Sequence, residues 1–195
     1  MKLEEIQPQT DQVKIYRINQ ISFKWLAGKI LYLKQHKTFP GAINAGNYIN
    51  QKLFGLGDMF MYHYDPKWKK ELPYYDTFPL VIPINFAPNG FLGLNLHYLS
   101  PDLRLIFINR LIRLTTVKLD QNTKLAVTYS ILKDSQDLNM HIPCLKRYLS
   151  SHVQGRMMRI FPHEWIFAAN IPTDAFQKAS KGTVWADSRK KINGF

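Results

Sequence analysis

The sequence predicts an α+β fold, a small SH3-like β-barrel or bent antiparallel sheet packed with several helices and preceded by an N-terminal arm. Three observations carry that expectation. Apolar and aromatic residues recur at a period of two between Met59 and Leu99, and a helix-start signal follows at Ser100-Pro101-Asp102. A Gly- and Asn-rich stretch from Phe39 to Gly57 parts both from a more polar N-terminus. The expected organisation is an arm and linker over 1–57 and a compact body over 58–195, with the barrel at about 58–99 and a helical part at about 100–195.

Within the strand region, Phe60, Tyr62 and Tyr64 alternate with Met59, Met61 and His63, so the two sides of this strand face different surroundings. Asp65-Pro66 stops it. Leu80, Ile82 and Ile84 alternate again up to Ala87-Pro88-Asn89-Gly90, a turn in which Pro88 fixes φ and Gly90 is free to take φ > 0. Phe91 to Leu99 is then the returning strand.

In the arm, Val13 to Gln35 has helical spacing, with Ile18, Ile21, Trp25 and Tyr32 on one face, Arg17 and Lys24 on one flank and Lys29 on the other. Gly28 weakens it. After the linker and the strands, Pro101 to about Leu114 is the best-signalled helix: Leu103, Ile106, Phe107, Leu111 and Leu114 form a wide apolar face, and Arg110 and Arg113 lie on its polar side. The pattern predicts further helices at Asn122 to about Lys133 and at Pro143 to His152, the latter ended by Gly155. Met157 to Phe161 reads as a short extended link, His163 to Ala169 as a short helix, and Thr173-Asp174 as the cap of another running through Lys178. Trp165, Phe167 and Trp185 are expected to close the core.

With 195 residues, 46% of them apolar, the chain has material for one good core. The single Cys144, flanked by Ile142, Pro143 and Leu145, excludes an intrachain disulfide; a buried inert thiol and a reducing cytoplasm fit. No stretch approaches the ~18 apolar residues of a membrane span, and the N-terminus does not read as a signal peptide, so no membrane partner is expected. Net charge is +12, and from Leu138 to Phe195 nine basic residues face three acids. Half of the excess lies there. It is either a solvated surface, an acidic-protein contact or a phosphate contact; in the last case Lys146, Arg147, Arg156, Arg159, Arg189, Lys190 and Lys191 are the candidate residues.

Catalytic spacing is lacking. There is no phosphate-binding glycine loop, no HExxH and no paired CxxC, and the six histidines are dispersed singly, so no metal or cofactor is expected. A nuclease would have to combine Asp76, His97 and Glu164 around a basic pocket, and nothing in the sequence brings them together. Tyr74-Tyr75-Asp76, between Pro73 and Pro79, stands apart: adjacent tyrosines point to opposite sides, so one packs inward and the other offers a ring to a base or a partner, unless both only brace a turn. Asn95 either reads a ligand or, alternating with Leu94 and Leu96, is simply the polar face of its strand.

LPYYDTFPLVIP, GFLGLNLHYL, CLKRYLSSHV, Arg156, Glu164-Trp165 and VWADS resemble a family of small virion proteins of T-even-like contractile-tailed phages, over about Asp58 to Ser188. Some members are labelled DNA end protector and others virion structural protein. The resemblance implies a non-enzymatic protein of the phage particle, made in the host cytoplasm, assembled with other phage structural proteins and in contact with double-stranded DNA ends. The alternative is an adaptor of the neck, tail or baseplate without DNA contact. Either way the stripe of Ile18, Ile21, Trp25 and Tyr32, with Tyr74 and Tyr75, is the expected partner surface, because large apolar side chains in water call for a cover.

Overall fold

A computed structural model describes residues 20–29, 31, 42–44, 55–115 and 141–194. Among them the strands β1 (Ala42–Asn44), β2 (Met59–Tyr64), β4 (Leu80–Ala87), β5 (Gly90–Asn95), β6 (Leu145–Leu149) and β7 (Val153–Ile160) form one antiparallel sheet in the order β1-β7-β2-β4-β5-β6. The sheet does not close: β1 and β6 are its edges. Of the two architectures the alternation allowed, this is the bent sheet. Two short strands, β3 (Tyr75–Asp76) and β8 (Phe176–Gln177), pair separately.

The bend is strong. Tyr148 on β6 lies 5.7 Å from the Tyr62 ring and 5.0 Å from the Tyr64 ring of β2, although β4 and β5 stand between those strands. Register shifts between Met61 and His63 and between Pro83 and Asn85 supply bulges, which increase local twist and let Pro83 sit in a strand without a donor. Gly93 permits the curl: a Cβ there would run into the Val81 side chain.

Period-two alternation sorts the sheet into two faces. Met59, Met61, Leu80, Ile82 and Leu94 point to a layer of helices, and Phe60, Tyr62, Tyr64, Val81, Phe91, Tyr148, Val153 and Met157 fill the inside of the bend. The helices are α1 (residues 20–29), α2 (Pro101–Thr115), α3 (His141–Cys144), α4 (Trp165–Asn170) and α5 (Lys181–Ile192). Helix α2 starts where its proline and acid predict, and buries Phe107, Ile108 and Leu111 while Ile106 stays 46% exposed. Arg104 is buried on this same stripe.

Several expectations fail for one reason, pairing over long sequence distances. Pro143 to His152 is not a helix but the single turn α3 followed by strand β6, which β5 captures in register Gly90↔Leu149 to Leu94↔Leu145. Met157 to Phe161 is not a link: Met157 to Ile160 end β7, an eight-residue strand inside the sheet, and Phe161 follows it. The part assigned to helices, 100–195, therefore supplies two strands of the main sheet. Thr173-Asp174 caps no helix; β8 follows, and α5 begins at Lys181 with the Ser180 hydroxyl accepting from Thr183 N at 3.2 Å. In the turn at 87–90, Asn89 rather than Gly90 takes positive φ (58°); Gly90 is required because a Cβ would collide with the Tyr148 carbonyl. The expected helix at Asn122 to Lys133 lies outside the described residues, as do Ile18 and Tyr32.

Candidate nucleic-acid interface

Where the bent sheet ends at the edge strand β6, the 65–75 loop, β3 and the last turn of α5 converge on a cleft of about 570 Å³. Its floor is aromatic and polar: Tyr64, Tyr98 and Tyr148 with Asp76 and Asn95. Its walls are Trp68, Leu72, Tyr74, Tyr75 and Leu145. Lys67, Lys146, Arg147 and Lys191 surround it, against the one carboxylate of Asp76.

The floor is fixed from beneath. Asp76 Oδ2 accepts from Asn95 Nδ2 at 3.1 Å and meets His97 Nδ1 at 2.8 Å, while Oδ1 accepts from Phe78 N and Ala175 N at 3.0 and 3.3 Å. Burial alone would raise the Asp76 pKa, but the charge and hydrogen bond of His97, with the Phe78 N–H and Asn95, outweigh it and hold the carboxyl below its ordinary value. Behind it, His97 Nε2 lies 3.2 Å from Thr173 Oγ1 and 3.8 Å from Asp174 Oδ1. Arg104 completes this network: its guanidinium donates to the carbonyls of Leu96, Leu99 and Ala169 and, at 2.5 Å, to Asp174. One buried cation thus ties the end of β5 to α4 and to the segment before β8.

The cleft walls are held from outside. Tyr74 donates its hydroxyl to Asp187 Oδ2 at 2.9 Å, and burial together with that bond pushes its pKa up to about 12. Lys146 Nζ lies 4.2 Å from the centre of the Tyr98 ring, a cation–π contact; burial lowers its pKa to about 8. Lys191 follows Asp187 by one turn of α5, 3.8 Å away.

The sequence candidates separate into two groups. Lys146, Arg147, Lys191, Tyr74 and Tyr75 come together around the cleft, with Arg189 and Lys190 exposed on the same helix turn. The Arg147 guanidinium is engaged with the Pro88 carbonyl at 2.9 Å. Arg156 and Arg159 belong to β7, separated from β6 by three strands of the sheet, and Arg159 is paired with Asp58 at 2.7 Å. Trp68, Tyr98, Tyr148 and Lys67 were not singled out. Trp68 and Lys67 had one available signal, an aromatic amid lysines in KWKK; Tyr148 reaches the cleft only through pairing of β6 with β5, and Tyr98 from the turn after β5.

Trp25 of the expected partner stripe is used within the chain. Its ring packs on Phe167 at 6.2 Å and its Nε1 donates to Glu164 Oε1 at 3.0 Å, while Lys29 pairs with Glu164 Oε2 at 2.8 Å. Ile21 remains 53% exposed. Glu164 also accepts from Phe161 N at 2.9 Å, and these bonds outweigh burial and lower its pKa.

The nuclease constellation is assembled only in part: Asp76 and His97 meet, but Glu164 belongs to the α1 contact, and the His97 ring is fully buried with both nitrogens engaged. Among the described residues there is no group of three His, Cys, Asp or Glu that could hold a metal ion, and no helix long and apolar enough to cross a membrane. Cys144 is buried, and burial pushes its thiol up to about 12.

Neither the curated proteins nor the solved structures compared with the chain give a match. A family does match, from residue 34 to residue 192, most of the chain and every element of the cleft. By that match the chain belongs to the family of the Phage T4 terminal DNA protecting protein.

Proposed function

We propose that the chain is a non-enzymatic protein of a tailed-phage particle that holds the ends of double-stranded DNA through phosphate contacts. The observation that carries this reading is the convergence of Lys146, Lys191 and Lys67 on one cleft, with Arg189 and Lys190 on the adjoining turn of α5. Cations gathered on one side and free of base-reading geometry give affinity without sequence choice. The lack of chemistry follows from the same site: its carboxylate is saturated by four hydrogen bonds and its histidine lies beneath the floor.

If about four of these cations each displace a phosphate counterion, the logarithm of DNA affinity falls against the logarithm of salt with a slope of about −3 to −4. Replacing Lys191 or Lys190 by Ala reduces that slope by about one unit and leaves sequence preference flat. Duplex titrations at three salt concentrations measure both. Absence of duplex binding even at low salt overturns the reading. It would leave the second one, an adaptor of the neck, tail or baseplate, which is favoured by α1: Ile21 and Phe23 are 53% and 50% exposed there, and a neighbouring subunit would cover them.

A further inference from the structure

We propose that the cleft between β6, the 65–75 loop and α5 receives one unpaired terminal nucleotide of the DNA, its base stacked on Trp68 and Tyr75 and its phosphate on Lys146 and Lys191. This rests on the phosphate reading above and adds what that reading lacks, a reason why an end is distinguished from the interior.

Phosphates are the same along a duplex, so cations alone cannot tell an end from the middle. What an end uniquely offers is a base whose face is uncovered, or made so by fraying. Interior bases have both faces occupied by their neighbours. The cleft is built for an uncovered face. About 570 Å³ falls in the range of about 300–1,000 Å³ that small-molecule sites span, and its walls present aromatic rings. Trp68 leaves 55% of its surface in solvent at the cleft edge, beside Leu72 and Leu145, which are 37% and 40% exposed. Three large apolar side chains left exposed around one concavity mark a ligand face. Lys67 Nζ lies over one face of the Trp68 ring, 5.0 Å from its centre, a cation–π contact at the mouth of the cleft.

The chemistry also sets the selectivity. Asp76 already accepts four hydrogen bonds and Asn95 is spent on Asp76 and on His97 N, so the floor has little left with which to read a base edge. Stacking on rings accepts every base. The site is therefore indifferent to sequence and sensitive to the presence of an unpaired end.

The test uses the full chain and short duplexes carrying 2-aminopurine either in a two-nucleotide single-stranded extension or at an interior pair, with a dumbbell closed at both ends as control. Binding should quench the terminal probe and leave unchanged the emission of the interior one, already dimmed by its stacked neighbours. The extended duplex should bind about tenfold more tightly than the dumbbell. Trp68→Ala and Tyr75→Ala should each remove most of that preference without altering dumbbell affinity or its salt slope, and Trp68→Phe should restore it. An unquenched terminal probe, or Trp68→Ala and Tyr75→Ala proteins that keep the full preference for open ends, would overturn the proposal while the phosphate reading survives. No binding to any of the DNAs would remove both.

Discussion

The two faces of the bent sheet solve the same burial problem with different chemistry. Toward the helices, Met59, Met61, Leu80, Ile82 and Leu94 meet Phe107, Ile108, Leu111, Trp165 and Val184, a mainly aliphatic layer in which Arg104 is the chief polar exception. Inside the bend, Phe60, Tyr62, Tyr64, Phe91 and Tyr148 pack ring against ring; Tyr148 is edge-on to Tyr62 and Tyr64 and stacked on Phe91 at 5.3 Å. Aliphatic packing fastens helices wherever shape allows. The tyrosine layer carries hydroxyls that need partners, and it continues through Tyr64, Tyr148 and Asn95 to the floor of the cleft. The polar groups of a candidate ligand site are thus the outer end of a core.

The sharpest way to break this contrast is at Arg104. Its side chain is 1% exposed, and truncation would strip its hydrogen bonds from the Leu96, Leu99 and Ala169 carbonyls and from the Asp174 carboxylate, the Leu96 carbonyl keeping another bond, from Leu99 N. Removing one partner of a buried ion pair costs about 3–5 kcal/mol. Arg104→Ala should accordingly shift the urea midpoint far down or abolish cooperative melting. A loss under about 1 kcal/mol would show that the helix layer does not depend on its cation.

Next in size is Gly93→Ala, where the added methyl meets Val81 on the tyrosine side. Overpacking of this kind costs about 1–3 kcal/mol. Because the curl brings β6 over β2, the same substitution should also disturb the cleft and weaken the proposed end binding, measurable as a paired drop in melting temperature and end preference.

How much of this was legible depends on sequence separation. Strands β2, β4 and β5 and helix α2 are coded by neighbours: alternation, a turn and a helix-start signal within a dozen residues. Leu145-Lys146-Arg147-Tyr148-Leu149 contains good helix formers and no β-branched residue, yet β5, some 55 residues earlier, makes it a strand. Arg104 has a local signal: it shares the helical stripe of Phe107, Ile108 and Leu111, and a cation there has to find partners inside. Of the cleft, Tyr74, Tyr75, Lys146 and Lys191 were identifiable as residue types; their meeting was not, because it is made by β3, β6 and α5 together.

A smaller effect separates two tyrosines of the inner face. Tyr64 Oη accepts from Leu149 N at 3.0 Å, whereas the fully buried Tyr62 Oη finds no hydrogen-bond partner among the described residues. Tyr64→Phe should destabilise by about 1 kcal/mol, and Tyr62→Phe should be neutral or stabilise by up to about 1 kcal/mol, since an unpaired buried hydroxyl is the costlier arrangement. Equal losses for both would mean that ring packing alone governs this layer.

The smallest expected effect is a pH signature that opposes the two faces two residues apart. Lys146, on the cleft side, faces Tyr98, Cys144 and Lys191, and its pKa falls from an ordinary 10.5 to about 8; Cys144, on the helix side, faces Lys146 and Arg104, and its pKa rises from 9.0 to about 12. Between pH 8 and 10.5 the unfolded chain holds the lysine proton that the folded one has shed, so stability rises with pH there. Above pH 9 the unfolded thiol ionises while the folded thiol does not, which lowers stability and offsets the lysine. Past pH 10 the raised tyrosines Tyr62, Tyr64, Tyr74, Tyr98 and Tyr148 add to the loss. The net expectation is a gain of about 0.5 kcal/mol from pH 8 to 9, a plateau, then a steep fall. Lys146→Met should erase the gain and make stability decline from pH 8 onward, and Cys144→Ala should prolong the rise to about pH 10. Urea midpoints at pH 8, 9, 10 and 11 read all three curves. A wild-type curve that falls steadily from pH 8 would mean that Lys146 is not desolvated at the cleft.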